Sequence, residues 1–144
     1  MDVLYYHTSE TIKLNDVQFC LQKAGYSAVF GIDPVSNETT LYVAFIPAVY
    51  PDHTMYWRWI LADVGWDDIG DDEREVVASI WKAKATSFAV WYPMVFMDDF
   101  GGMMRYVLHA YGGHVSFEYA LFDRDNILSI GGHVPEPPPD LRDE

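Results

Sequence analysis

The chain has 144 residues, half of them hydrophobic, with 22 acids against 9 bases and a net charge of −13. That length suits one domain and that apolar content can fill a core, which excludes wholesale disorder. The negative field disfavours direct binding to nucleic acid or to an anionic membrane, and the single cysteine, Cys20, excludes an internal disulfide framework and any cysteine-based zinc site.

The opening Met-Asp-Val-Leu-Tyr-Tyr-His has no basic region followed by an apolar one, so no secretory leader is expected. The longest apolar run, Ser87 to Met97, is broken by Pro93 and falls short of the roughly 20 residues a spanning helix needs. A soluble protein of the reducing cytoplasm is the expectation.

Val3 to Ser9 reads as a first strand, rich in Tyr and β-favouring residues. Asn15 can cap a helix from Asp16 to Ala24, with Val17, Cys20, Leu21 and Ala24 on one face and Gly25 at its stop. Ser27 to Ile32 and Thr39 to Phe45 read as a hairpin around the turn-rich Asp33-Pro34-Val35-Ser36-Asn37-Glu38. Pro47 and Pro51 mark a loop. Thr54 to Val64 is expected as a short helix, with Met55, Trp59 and Ala62 on one side.

Seven acids and one base, Arg74, lie between Asp63 and Glu75. Asp71 or Asp72 can cap a helix to about Lys84, with Val76, Val77, Ile80 and Trp81 as its apolar stripe. Ser87 to Trp91 then reads as a strand. Asp98 or Asp99 caps a helix carrying Phe100, Met104, Val107, Leu108 and Tyr111, which Gly112-Gly113 ends. His114 to Phe122 alternates as one strand, Asp123 to Asn126 is a turn, and Ile127 to Ile130 returns as a strand. From Gly131 four prolines among acids predict an extended, mobile tail. The expected class is α+β. Residues 1–130 form one domain, a mostly antiparallel sheet with three to four helices on one face, and residues 131–144 form the tail.

No metal site is expected. His7, His53, His109, His114 and His133 form no pair at ligand spacing, and the acids from Asp63 to Glu73 do not follow the order of a calcium loop. No cofactor is expected either, since Gly101-Gly102, Gly112-Gly113 and Gly131-Gly132 lack the spacing and lysine of a phosphate loop. Cys20 sits on an apolar stripe and reads as an inert thiol, and no nucleophile elbow is present.

The acids exceed what one helix cap needs. Trp66 lies among Asp63, Asp67, Asp68, Asp71, Asp72 and Glu73, and Trp is a favoured interface anchor. Within Tyr56-Trp57-Arg58-Trp59, Trp59 is expected to face inward and Trp57 partly outward as a second docking residue. These residues form the expected partner-binding site. A stacking platform for single-stranded nucleic acid would need a basic groove, and the surroundings are acidic.

His7-Thr8-Ser9 and His114-Val115-Ser116 are both H-x-S on expected strands, so each His shares a face with its Ser. The pair resembles the signature of the 2H phosphoesterase family, which cleaves 2′,3′-cyclic or linear phosphodiesters. The resemblance implies one His as general base, the other as general acid, and hydroxyls holding phosphate. It departs from the family in two ways: His7 precedes the strand-and-helix unit expected before a first motif, and no basic residue adjoins either motif in sequence.

In size, charge and α+β pattern the whole chain resembles the small acidic immunity proteins of bacterial polymorphic toxin systems and phage proteins that disable host defences. That resemblance implies a non-enzymatic, protein-binding inhibitor of a basic toxin, nuclease or defence effector, acting by steric and electrostatic occlusion. The alternatives are the phosphodiesterase and a DNA mimic. A mimic would spread its carboxylates along an elongated face, whereas these acids concentrate between Asp63 and Glu75.

Overall fold

A computed structural model describes residues 2–47, 50–61, 75, 86–92, 100–117 and 120–127. In chain order these give β1 (Asp2–Thr8), α1 (Leu14–Lys23), β2 (Ala28–Ile32), β3 (Thr39–Phe45), β4 (Met55–Leu61), β5 (Thr86–Tyr92), α2 (Phe100–Tyr111), β6 (His114–Phe117) and β7 (Ala120–Phe122). The strands form one seven-stranded sheet in the order β2-β3-β4-β5-β1-β6-β7. Every neighbouring pair is antiparallel.

The α+β class agrees with expectation, but the helix count does not: two helices lie among the described residues, not three to four. Thr54 to Val64 accounts for one difference. Met55–Leu61 is a strand in which Trp57 and Trp59 face the core while Tyr56, Arg58 and Ile60 face the other way. That alternation, with its aromatic and β-branched side chains, outweighs the three apolar residues at helical spacing. His114 to Phe122 is also corrected, from one strand to two, because Phe117 pairs with Ala120 and the chain reverses between them. Ile127, expected to open a return strand, is buried at the end of the Asp123–Asn126 turn. The expected helix toward Lys84, apart from Glu75, residues 128–130 and the tail lie outside the described residues.

α1 begins two residues earlier than expected, at Leu14 instead of Asp16. The Asp16 carboxylate accepts from the Lys13 backbone N–H at 2.7 Å, so an acid inside the first turn holds the helix start and Asn15 is not the cap. Its end closes in a Schellman arrangement: Tyr26 N–H donates to the Leu21 carbonyl at 2.9 Å and Gly25 N–H to that of Gln22 at 3.0 Å. Gly25 has φ of 98°, the left-handed conformation this closure needs.

Both helices cover the same face of the sheet. Val17, Cys20 and Leu21 of α1 and Phe100, Met103, Met104, Val107 and Leu108 of α2 join one core with Leu4, Tyr6, Trp57, Trp59, Phe88 and Val90. Period-two alternation puts these strand residues on that face and their neighbours on the other. β1 ties α2 down as well. Tyr6 Oη donates to the Gly112 carbonyl at 2.6 Å and Thr8 Oγ1 to that of Tyr111 at 2.9 Å, which satisfies carbonyls a helix end leaves free.

The chain passes from α2 to β6 through Gly113, at φ of 90°. A Cβ there would collide with the His7 carbonyl oxygen and lie 3.0 Å from both His7 C and Thr8 Cα. β6 reaches its place beside β1 only because this position has no side chain. Gly113→Ala should therefore cost about 3 kcal/mol or more in urea unfolding, from strain and backbone collision together. Gly102→Ala in α2, where a Cβ meets nothing within 4 Å, should be neutral or stabilising by up to about 1 kcal/mol. Equal effects at the two positions would contradict the close approach.

Candidate functional site

The sheet brings together the two H-x-S segments that lie far apart in sequence. His7 of β1 is the register partner of His114 of β6, and on its other side His7 pairs with Ser87 of β5. All three side chains belong to the face opposite the helices. Ser116 shares that face and stands opposite Tyr5, whereas Ser9 lies beyond the end of β1 and is exposed. Two imidazoles and two hydroxyls therefore gather here, but one hydroxyl comes from Ser87, which the motif does not contain. Nothing in the sequence pointed to Ser87, because its place depends on β5 pairing with β1.

His7 is fully buried. Its Nδ1 lies 2.9 Å from Ser87 Oγ, its ring stacks on Tyr5 at 6.5 Å between centroids, and its Nε2 has no hydrogen-bond partner among the described residues. Burial, and secondarily the neighbouring His114, lower its pKa to about 4. Burial also lowers His114, against an opposing pull from Asp123. Both imidazoles are thus neutral near pH 7. His114 lines a cleft of about 390 Å³ with Glu10, His109, Asp123 and Arg124, so the turn after β7 brings a base to it after all. His7 does not line that cleft. A two-histidine mechanism needs both rings at the substrate, and this geometry offers one.

A second feature occupies the other half of the same face. Val29, Tyr42, Arg58, Trp91 and Val3 stand opposite one another across five strands as a single row. Val29 is 59% exposed, Trp91 37% and nearby Tyr56 46%. Arg58 Nη1 lies 3.4 Å from Asp33 Oδ2, and its guanidinium sits over the Tyr42 ring at 5.9 Å. Tyr42 meets Tyr56 edge-on at 6.2 Å. The Asp33 carboxylate accepts the backbone N–H groups of Val35 at 2.9 Å and Ser36 at 3.2 Å. Those bonds, and secondarily the Arg58 charge, hold its pKa below the usual carboxylate range. Beside this row a groove of about 320 Å³ is lined by Trp91, Ile60, Val35, Glu38, Arg58 and Asp33.

Of the residues expected to bind a partner, Trp57 is corrected. It is fully buried, stacked on Phe45 at 4.0 Å and edge-on to Phe100 at 6.4 Å, so it is a core ring and not a surface anchor. Strand alternation turned it inward beside Trp59. Asp63, Trp66, Asp67, Asp68, Asp71, Asp72 and Glu73 lie outside the described residues. Trp91 and Glu38 were missed as a site because Trp91 read only as strand and Glu38 only as turn. Among the described residues no group of three or more His, Cys, Asp or Glu is placed to hold a metal ion, and no helix is long and apolar enough to cross a membrane. No protein-family model, curated protein or solved structure matches this chain.

The depressed pKa of His7 sets a pH dependence. The unfolded chain, with an ordinary histidine pKa near 6.5, binds that proton more readily than the folded chain, whose His7 pKa is about 4. The stabilisation is complete above pH 6.5 and falls as pH drops toward 4, by about 3 kcal/mol across the window. His7→Gln should remove most of this slope in urea midpoints taken from pH 7 to pH 4. An unchanged slope would assign the acid sensitivity to other groups.

Proposed function

We propose that this chain is an acidic protein-binding module that neutralises a basic partner (a toxin, nuclease or defence effector) by occluding its working surface. The carrying observation is the half-open sheet face: Tyr56, Trp91 and Val29 stand in solvent on a chain of net charge −13. Exposed aromatics and Arg are the residue types that anchor interfaces, and a long-range negative field accelerates encounter with a cationic surface. The same field repels nucleic acid and anionic lipid. Trp66 with Asp67, Asp68, Asp71 and Asp72 remains part of this reading as a second anchor and its charged surround. The reading places the protein in the cytoplasm, where its lone, buried Cys20 suits reducing conditions.

The phosphodiesterase reading is the weaker one, because buried His7 cannot touch a substrate. Turnover of a 2′,3′-cyclic nucleotide that disappears in both His7→Ala and His114→Ala would reverse that ranking.

Immobilised full-length protein, challenged with soluble proteins of its native host at low salt, should retain a basic protein. Asp68→Lys combined with Asp71→Lys should then slow association with that protein about tenfold at low salt, and less as salt rises. An unchanged rate at low salt, or an acidic captured protein, would contradict the proposal.

A further inference from the structure

We infer that the groove beside Trp91 receives a lysine or arginine side chain projecting from the basic partner. The inference rests on the binding-module reading above and assigns it a surface among the described residues. The groove has two chemically different parts. Its apolar lining is Trp91, Ile60 and Val35, which is 94% exposed, and Ser36 and Thr40 complete its uncharged surface. Its charged residues are Asp33, Arg58 and Glu38.

The two kinds of charge do not weigh equally. Asp33 and Arg58 are paired with each other, and Asp33 also accepts two backbone N–H groups and lies 3.5 Å from Tyr42 Oη. The two opposite charges largely offset each other, although Arg58 Nε has no hydrogen-bond partner among the described residues. Exposed Glu38 has no such counter-ion among the described residues and leaves the groove negative.

A lining that combines apolar surface with an exposed carboxylate suits an amphipathic side chain. Lys and Arg carry an apolar stem and a cationic head, and the stem covers apolar surface while the head reaches a charge. The indole adds attraction for a cation over its face. A neutral aliphatic side chain would fill only the apolar part. An acidic one would meet both Glu38 and the field of the whole chain. The Tyr42-Arg58-Asp33 contacts are already made in the free chain, which lowers the ordering cost of the complex.

The test uses the full-length chain labelled for NMR at low salt, with a short lysine-rich peptide as probe and the same peptide with every lysine acetylated as control. The lysine peptide should shift the Trp91 indole N–H and the Glu38 backbone amide, and acetylation should weaken binding about tenfold by removing the charge while keeping the stem. Glu38→Gln, read at the Trp91 indole, and Trp91→Ala, read at the Glu38 amide, should each weaken it about fivefold. Glu38 is an exposed loop residue, so its replacement tests the site even where Trp91→Ala perturbs folding. If the peptide binds but Glu38→Gln titrates like the native chain, this groove is not the site and the binding-module reading stands. If the lysine peptide does not bind at low salt, both are overturned.

Discussion

The placement of β1 between β5 and β6 governs the rest of the structure. Residues 2–8 join segments 86–92 and 114–117 into one sheet. This register sends Leu4, Tyr6 and Thr8 under the helices and Val3, Tyr5 and His7 to the opposite face. Because the side-chain period is two, a one-residue slip would exchange these sets, burying Val3 and Tyr5 and exposing Leu4 and Tyr6. Gly113 guards the register on one side by its close approach to the His7 backbone. On the other, seven consecutive residue pairs align β1 with β5.

The face away from the helices is divided. Near its β1–β6 end, His7, Ser87 and Ser116 are buried and the imidazoles are held neutral. Toward β2 and β4, Val29, Tyr56 and Trp91 are exposed. These halves have different physical roles. The buried half contributes a polar cluster whose cost appears as acid sensitivity. The exposed half carries a row of Tyr, Arg and Trp that ordinary sheet packing would have covered. Single exposed apolar residues need no explanation, but an aligned row beside a groove does.

Much of the local structure was legible in the sequence. The first strand, both described helices, the β2–β3 hairpin and the strand at Ser87–Trp91 followed from alternation, helical spacing and turn residues. Tyr56 to Ile60 was misread because Met55, Trp59 and Ala62 also satisfy a helical template, and only the aromatic alternation distinguishes a strand. The strand order was not legible, and the site depends on it. His7 and Ser87 are 80 residues apart, and no local pattern announces that they touch. The same holds for the row linking Val29 to Trp91, which joins four strands of the sheet before reaching Val3. Trp57 shows the converse: its neighbours suggested a surface, and one residue of strand parity put it in the core.

The central claim is that the Trp91 half of the sheet is open in the free protein and covered in its complex. Hydroxyl-radical footprinting of the full-length chain, alone and bound to its captured basic partner, tests both parts at once. Trp91, Tyr56 and Val35 should react in the free protein, while Trp57 and Trp59 stay protected, and the reactive set should become protected on binding. Trp91 as unreactive as Trp57 in the free chain, or equally reactive in both states, would contradict the account.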